Sequence, residues 1–259
     1  MTDGGVPHPA WRRRPGHPVA VLAHRGGTGP WHENTLEAFA GARRAGADGV
    51  ELDVRRTSDG ALVLHHDPEV PDLGPVADHR VDQMPPWMPT LVQALRACAG
   101  AAVDVEIKNL PFEPGYDPDD RVAAEVADVL RRGAAEGGPW PDRVVVSSFW
   151  AETLAVFGAA DRAAGRRGGA VPTALGLLVH PALEVAAALE VAVGLGCAAL
   201  HPHHSQVDAA LVDRAHDLGM AVVTWTVNLP HELDAVVRAG VDAVVTDDVA
   251  GTLARLGRG

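Results

Sequence analysis

The sequence contains very little cysteine. Among its 259 residues only Cys98 and Cys197 carry a thiol, and they are far apart and outside any CxxC pattern. This scarcity argues against a disulfide framework and against a thiolate zinc site. We therefore expect each cysteine to be a small buried core residue.

Positive charge is also scarce. The chain has 22 Lys and Arg residues against 34 Asp and Glu residues, which gives a formal net charge of −12. Such a chain repels polyanions at long range and offers no Lys/Arg stripe for a phosphate backbone, so we exclude nucleic acid as a partner. An anionic substrate would have to be attracted by local cations, which favours a bound metal ion and one or two basic side chains.

Long hydrophobic runs are absent as well. No apolar stretch approaches the roughly 20 residues that span a bilayer. Residues 1–18 contain a basic cluster, Arg12, Arg13 and Arg14, but no apolar signal core. We predict a flexible leader over residues 1–18, a single domain over residues 19–259 and a cytoplasmic location. The sequence leaves the oligomeric state open.

The chain does contain a repeated alternation of short β-type runs and helix-period stretches. Eight such βα units can be counted, and a length of 259 residues suits one (β/α)8 barrel. The sequence thus predicts an α/β fold, a single TIM barrel. An open doubly wound sheet is the alternative, but no Gly-rich dinucleotide fingerprint supports it. The predicted strands are Val19–His24, Gly49–Val54, Ala102–Lys108, Arg143–Ser147, Thr173–Val179, Cys197–His201, Ala221–Val227 and Asp242–Thr246.

The longer connections come after β-type runs. They are Gly26–Asn34, Asp67–Thr90 and Asn109–Asp119. In a barrel such loops all lie on the C-terminal face, where active sites are built. Polar and charged residues also cluster where the predicted strands end, so we expect them to converge on this face.

Carboxylates recur in the second and third predicted strands. Glu51 and Asp53 are two apart in a strand, so their side chains point to the same side. Glu106 stands in the neighbouring strand, with Lys108 two residues later. Three carboxylates could surround one hard cation, and an oxygen-only ligand set suits Mg2+ or Ca2+ better than zinc. Ordinary ion pairs are the alternative for Glu51 and Asp53, and Lys108 could simply be a partner of Glu106.

Histidines follow two of the apolar runs. His24 closes the first predicted strand and is followed by Arg25. His65 and His66 follow the short run Ala61–Leu64, which we interpret as a β-extension after the second strand. Paired histidines suit proton transfer near neutral pH, because one can take a proton while the other gives one. A histidine at any single strand end could equally be structural, since the chain has 13 of them.

The order of short motifs along the chain resembles that of one known family. The run HRG, ENT, ELD, DG, HHD and EIK is similar to the glycerophosphodiester phosphodiesterase family, a group of metal-dependent (β/α)8 barrels. The later segments SSF, WTVN and AGVDAVVTD also resemble this family. The likeness covers nearly the whole chain from Val19 onward.

This resemblance implies both a reaction and a set of site residues. The implied reaction is metal-dependent hydrolysis of a small-molecule glycerophosphodiester to glycerol 3-phosphate and an alcohol. The resemblance further suggests that the substrate's glycerol 2-hydroxyl is the nucleophile, and no Ser or Cys stands in a motif for covalent catalysis. Carried over by position, it assigns His24 and His66 as the acid/base pair, Glu51, Asp53 and Glu106 as metal ligands, Arg25 and Lys108 as phosphate-binding residues, and Trp225 as flanking the glycerol side.

Two features depart from the family pattern. His32 stands where the family usually has a proline before ENT, and the segment after HHD is short and lacks the common Arg-Thr-Thr element. The short segment predicts a reduced capping subdomain and removes the basis for naming the alcohol. The HPHH run with His201, His203 and His204 could suggest a second metal site, but we expect these histidines at the substrate rim or the surface.

Two other hypotheses stay open at this stage. A related barrel phosphodiesterase could act on lysophospholipids or phosphoinositol head groups, although the bacterial phosphoinositide-cleaving kind uses two histidines without a carboxylate-bound metal. A catalytically silent phosphate-binding barrel is the other alternative. It should have lost at least one of the histidines or carboxylates named above, and all of them are present.

Overall fold

The computed structural model describes residue 13 and residues 17–27, 29–136, 140–141, 143–168 and 173–259. Most of the predicted leader over residues 1–18 lies outside these ranges, so the division into a leader and a barrel domain stays a prediction. Within the described ranges, no helix combines the length and the apolar character needed to cross a membrane.

Eight parallel strands form a closed barrel. Each pairs with the next, and the ring closes where β1 pairs with both β2 and β11. This closure confirms the predicted (β/α)8 barrel and excludes the open doubly wound sheet. The strands are β1 Ala20–Ala23, β2 Gly49–Arg56, β3 Leu62–Leu64, β4 Glu69–Val70, β5 Gly74–Pro75, β6 Ala102–Ile107, β7 Arg143–Ser148, β8 Ala174–Val179, β9 Ala199–Pro202, β10 Ala221–Thr224 and β11 Ala243–Thr246, of which β3, β4 and β5 lie outside the ring.

An α-helix follows each barrel strand. Among the described residues, five helix-to-strand turns contain a glycine with a positive φ, for example Gly196 at 70° and Gly240 at 97°, a conformation that glycine adopts without steric cost. The helices are α1 Leu36–Arg44, α2 Leu91–Ala97, α3 Arg121–Glu136, α4 Ala151–Gly168, α5 Val185–Leu195, α6 Ala209–Asp217, α7 Pro230–Ala239 and α8 Val249–Arg255.

The side chains of each barrel strand divide into an outward and an inward set. In β2 the outward residues Val50, Leu52 and Val54 are fully buried and belong to the core between strands and helices. A second cluster, which includes Leu22 and Ala102, consists mainly of Ala and Val side chains from the barrel strands. These residues fill the lower barrel as a packed core, so the chemistry is confined to the C-terminal mouth. Both cysteines are buried, as expected.

Several strands end earlier than the sequence predicts. The first predicted strand reaches His24, but the β-ladder ends at Ala23 and a 3-10 turn spans His24–Gly26. Likewise β10 ends at Thr224. At the end of β1 the main chain leaves the extended conformation, since Arg25 has a φ of 52°, and the ladder cannot continue.

A small lobe is inserted between β2 and α2. Strand β3 runs antiparallel to β2, with Leu64 opposite Val54, which confirms the predicted β-extension. The lobe continues through β4, β5 and 3-10 turns at Val76–Asp78 and Val81–Gln83. It has its own core, made of Val63, Val70, Val76 and Met88. Strand β3 brings the chain back to the mouth, where His65 and His66 follow it.

Candidate active site

A cavity of about 160 Å³ opens at the C-terminal mouth of the barrel. Seven of the eight predicted site residues line it, namely His24, Arg25, Glu51, His66, Glu106, Lys108 and Trp225. The eighth, Asp53, is 1% exposed and lies within contact distance of Lys108 and Arg25. The structure therefore brings all eight predicted residues together.

Three buried carboxylates form the centre of the site. Glu51 and Asp53 project from β2, and Glu106 lies beside Asp53 on the neighbouring strand β6. One carboxylate oxygen of each residue lies within 4.8 Å of the others. All three side chains are buried. Like charges at this spacing repel one another, so the group needs compensating positive charge.

The ionisation behaviour of the three carboxylates differs. Burial, and then the charges of Asp53 and Glu106, raise the pKa of Glu51 well above its ordinary value. Burial alone would raise the pKa of Asp53 too, but Lys108 and Arg25 hold it below the ordinary value. Burial raises the pKa of Glu106, partly offset by Lys108. Asp53 is thus the firmly ionised member of the group.

Lys108 supplies part of the positive charge. Its Nζ lies 3.1 Å from Oδ1 of Asp53 and 2.5 Å from Oε1 of Glu106. Burial would lower the pKa of Lys108, but the attraction of these two carboxylates raises it above its ordinary value. The contact with Glu106 is the one that the sequence left open as an alternative. It does not conflict with a role toward phosphate, since Lys108 also lines the cavity.

The carboxylate group fits a hard divalent cation. Its ligands would all be oxygens, which suits Mg2+ or Ca2+. One lone oxygen supports this fit: Oε1 of Glu51 is buried and has no hydrogen-bond partner among the described residues. The other oxygen of Glu51 accepts the main-chain N–H of Arg25 at 2.9 Å. A buried oxygen without a donor is costly unless a cation compensates it.

His24 belongs to a hydrogen-bonded chain at the end of β1. Its Nδ1 donates to Oδ1 of Asp247 at 2.7 Å, and this bond lowers the pKa of Asp247. Asn228 donates from Nδ2 to the other carboxylate oxygen at 2.6 Å and accepts the main-chain N–H of Asp247 at 2.9 Å. The imidazole is therefore oriented by a carboxylate that is itself held in place.

His66 has a similar partner in a more open setting. Its Nδ1 donates to Oδ1 of Asp67 at 2.7 Å, and the Asp67 side chain is 70% exposed. Burial of the imidazole and the nearby Lys108 ammonium lower the pKa of His66 below its ordinary value. Both predicted acid/base histidines thus line the cavity with Nδ1 held by a carboxylate.

Arg25 occupies a constrained turn. Its φ of 52° lies in the left-handed region, and the following Gly26, at 92°, has no room for a side chain because a Cβ there would lie 2.6 Å from Cβ of Ala38. The guanidinium Nη1 donates to both carboxylate oxygens of Glu33 at 2.9 and 3.1 Å, and Nε lies 3.3 Å from Oδ2 of Asp53. Its head group is therefore held between two carboxylates at the mouth.

Two residues of the ENT motif, Asn34 and Thr35, have different roles. Thr35 caps α1, since its hydroxyl accepts the main-chain N–H of Ala38 at 3.2 Å. Asn34 instead donates from Nδ2 to Oδ2 of Asp53 at 2.8 Å and accepts the Asp53 main-chain N–H at 3.1 Å. Asn34 therefore fixes one carboxylate of the central group, which sequence reasoning did not foresee.

With this geometry established, residues 24–250 match the glycerophosphoryl diester phosphodiesterase family. The chain belongs to that family. It is accordingly a phosphoric diester hydrolase. A curated relative, the glycerophosphodiester phosphodiesterase of Caldanaerobacter subterraneus, is 28% identical over 249 residues, which covers 88% of this chain and 93% of that protein.

Solved structures share the fold of this phosphodiesterase. A glycerophosphodiester phosphodiesterase from Thermotoga maritima superposes with a TM-score of 0.71 at 24% identity, covering 92% of this chain and 98% of that one. A phosphodiesterase from Oleispira antarctica, solved in complex with the product sn-glycerol-3-phosphate, gives a TM-score of 0.76 at 24% identity, with 93% and 97% covered.

An aromatic wall faces the carboxylates of the phosphodiesterase site. Phe149 and Trp225 make an edge-to-face pair with ring centroids 5.3 Å apart, and Nζ of Lys108 lies 5.8 Å from the centroid of Phe149. The indole Nε1 of Trp225 donates to the main-chain oxygen of His201 at 2.8 Å, which fixes the ring. Phe149 was missed as a site residue, although the SSF motif contains it.

The prediction for the HPHH run is only partly right for His201. This residue lines the cavity, but it is not at the surface: it is 1% exposed, with Nδ1 3.2 Å from Oδ2 of Asp104 in the barrel interior. Ser147 donates to the other oxygen of Asp104 at 2.7 Å. Space for the imidazole exists because Gly176 has no side chain, since a Cβ there would lie 2.5 Å from Nε2 of His201.

The other two histidines of the run are half-buried and pack at the rim as expected. The ring of His203 lies edge-on to Trp225, 5.1 Å between centroids, and stands 4.2 Å from the ring of His204. Nε2 of His204 is 3.5 Å from a carboxylate oxygen of Glu232. These contacts support the aromatic wall.

Proposed function

We propose that the chain hydrolyses glycerophosphodiesters to glycerol 3-phosphate and an alcohol, with His24 and His66 as the acid/base pair. One observation carries the proposal: two histidine–carboxylate pairs and three buried carboxylates line or border a single cavity in a phosphodiesterase barrel. The Oleispira antarctica phosphodiesterase, which has the same fold, binds sn-glycerol-3-phosphate as its product. That molecule is also the phosphate product proposed for this chain.

Glu51, Asp53 and Glu106 would hold one divalent metal ion, Mg2+ or Ca2+. When bound, such an ion supplies positive charge and Lewis acidity beside the phosphate. Arg25 and Lys108 would add fixed positive charge on either side of Asp53. These cations oppose the repulsion that a chain with a net charge of −12 exerts on an anionic substrate.

The two histidines would move the protons. A carboxylate at Nδ1 favours the tautomer with its proton on that nitrogen, which leaves Nε2 to accept or give a proton. One histidine takes the proton of the substrate's glycerol 2-hydroxyl as this oxygen attacks phosphorus. The other histidine protonates the departing alkoxide. Water then opens the cyclic phosphate with the two roles reversed.

The protein's own nucleophiles are poor alternatives. The hydroxyl of Ser147 donates a hydrogen bond to Asp104, and the hydroxyl of Ser148 donates one to the main-chain oxygen of Ile107 at 3.0 Å. Burial raises the pKa of both cysteine thiols, Cys98 and Cys197, to about 12. A thiolate is therefore disfavoured near neutral pH, and a nucleophile supplied by the substrate is the simpler choice.

Trp225 would flank the glycerol part of the substrate. Its ring is held by the bond to the His201 carbonyl and by edge contacts with Phe149 and His203. A fixed aromatic face offers an apolar contact for the carbon skeleton of glycerol without competing for its hydroxyls. The cytoplasmic location stays a prediction from the sequence.

A substrate panel tests the proposal. Glycerophosphodiesters with different alcohols are assayed by coupled release of glycerol 3-phosphate, and a lysophospholipid is assayed by release of its head-group alcohol, after exhaustive chelation and after addition of Mg2+ or Ca2+. We expect chelation to abolish activity and one of the two ions to restore it. Full activity in the chelated enzyme would refute the metal assignment, and cleavage of the lysophospholipid alone would refute the substrate.

An analogue tests the nucleophile. If the glycerol 2-hydroxyl attacks phosphorus, a substrate in which hydrogen replaces that hydroxyl should not be cleaved at a measurable rate. Cleavage of the analogue as fast as the parent, with the same need for metal and for both histidines, would make water the direct nucleophile.

A further inference from the structure

Arg55 is a buried arginine next to the proposed site. It lies two residues beyond Asp53 on β2 and is 6% exposed. Its Nε and Nη2 both donate to the main-chain oxygen of His66, at 2.9 and 2.5 Å. Its Nη1 donates to Oε2 of Glu113 at 2.9 Å. Three of its donors are thus in use, and two of them grip one carbonyl.

The contact fixes the main chain at His66. On the preceding residue, the main-chain N–H of His65 donates to the oxygen of Asp53 at 3.1 Å. The segment that carries His66 is therefore attached to β2 at two successive inward positions, Asp53 and Arg55. Asp53 is one of the proposed metal ligands, so these contacts tie the histidine to the strand that would hold the metal.

We infer that Arg55 is a positioning residue for catalysis, which holds His66 at its working distance from the carboxylate group by gripping its carbonyl. This inference rests on the proposed role of His66. Arg55 has no place in the substrate cavity's lining and acts only through the histidine. Displacement of a catalytic group by about 1 Å can cost on the order of a hundredfold in rate, so a contact that fixes the main chain of His66 should affect kcat.

The chemistry of the contact requires arginine. The planar guanidinium presents several N–H donors in a fixed fork, so it can hold the carbonyl twice and still reach Glu113. A lysine ammonium is a single point charge and could keep one of these partners at the cost of the other. A glutamine would keep the carbonyl contact at best and leave the Glu113 carboxylate without its cation.

The adjacent Arg56 provides a matched control. It carries the same charge, and its Nε donates to Oε2 of Glu125 at 2.8 Å on the outer side of the same strand. Its Nη1 donates to the main-chain oxygen of Thr57 at 3.3 Å. Arg56→Gln therefore removes a half-buried arginine–carboxylate ion pair from the same strand without changing a contact of His66.

The test compares kcat, KM and metal affinity in Arg55→Gln, Arg55→Lys and Arg56→Gln. We expect Arg55→Gln to lower kcat by on the order of tenfold to a hundredfold, with KM and the calorimetric metal affinity within about twofold of the parent. Arg55→Lys should lie between Arg55→Gln and the parent, and Arg56→Gln should keep the parent kcat. Equal kcat in Arg55→Gln and Arg56→Gln would overturn the inference. If Arg55→Gln does not fold, Arg55→Lys is judged against Arg56→Gln by the same criterion.

A double variant separates this inference from the proposed function. In a His66→Ala background, Arg55→Gln should cause no further fall in the residual rate, because its target is already gone. A further fall of the same size would show that Arg55 acts elsewhere and would overturn the inference. If His66→Ala alone keeps the parent rate, the proposed role of His66 fails instead, whatever Arg55→Gln does.

Discussion

The two histidine–carboxylate pairs have the same bond length but different surroundings. In both, Nδ1 lies 2.7 Å from an aspartate oxygen. Asp247 comes from the far end of the chain, is 35% exposed and is bonded twice by Asn228. Asp67 directly follows its histidine and is 70% exposed. One pair is built by barrel closure and the other by local sequence.

This difference indicates how each histidine is held. An exposed ion pair contributes little, because water screens it and both side chains lose freedom to form it. His24 is therefore held through its side chain by Asp247, whereas His66 depends more on its main chain. A contact of the same length therefore contributes more to the position of the His24 ring than to that of the His66 ring.

The largest expected effect is shared by the two histidines. His24→Ala and His66→Ala should each lower kcat by on the order of a hundredfold or more, because each removes a proton-transfer group. The measurement is kcat at saturating substrate, with metal affinity by calorimetry as the control for an intact carboxylate group. If one variant keeps a nearly parental kcat, that histidine is not catalytic and the two pairs do not have matching roles.

Arg25→Lys is expected to have the next largest effect. The substitution keeps a positive charge at the mouth of the barrel but loses the guanidinium contacts with Glu33 and Asp53. We expect most of the activity to be lost, about tenfold or more in kcat/KM, because Lys cannot grip a phosphate in two places. Near-parental kcat/KM would assign Arg25 a structural role.

Asp247→Asn sharpens the comparison directly. An amide in place of the carboxylate removes the charge that fixes the tautomer of His24, and we expect kcat to fall about tenfold with little change in KM. Thermal unfolding of the same variant serves as the control for a general loss of structure. An effect no larger than that of the matching change at Asp67 would contradict the proposed difference.

Asp67→Asn should have the smallest effect. Because the carboxylate is exposed, we expect kcat to change by no more than about threefold. Because the His66–Asp67 pair contributes little, screening it with salt should hardly change the rate. We therefore expect the parent enzyme and the Asp67→Asn variant to show the same dependence of rate on salt concentration. A tenfold loss in Asp67→Asn would mean that the side-chain bond, and not the main chain, holds His66.

Sequence patterns predicted the barrel because its determinants are local. Alternating runs in β2, with Val50 and Leu52 on one face and Glu51 and Asp53 on the other, follow from strand geometry alone. The C-terminal ends of parallel strands meet at one mouth, so the convergence of the predicted site residues could also be foreseen. The ends of the strands could not, because the ladder stops where the main chain leaves the extended conformation, as in the 3-10 turn that begins at His24.

The partners that orient the site were not predictable in this way. Asp247 meets His24 across 223 residues, and Arg55 reaches the carbonyl of His66 across 11, through contacts that exist only once the chain has folded. His201 was misjudged for a related reason. A histidine in a polar run suggests exposure, and only the missing side chain of Gly176 and the buried Asp104 make an interior position possible.

The close approach of the His201 ring to Gly176 makes the residue types at these two positions depend on each other. Because a Cβ on Gly176 would lie 2.5 Å from Nε2 of His201, any larger residue at position 176 displaces the imidazole or requires a smaller residue at position 201. Variation at these positions is therefore paired: a library that randomises both should return one small and one large side chain, with few members that are large at both. Redesign of this barrel's interior has to treat positions 176 and 201 as one choice.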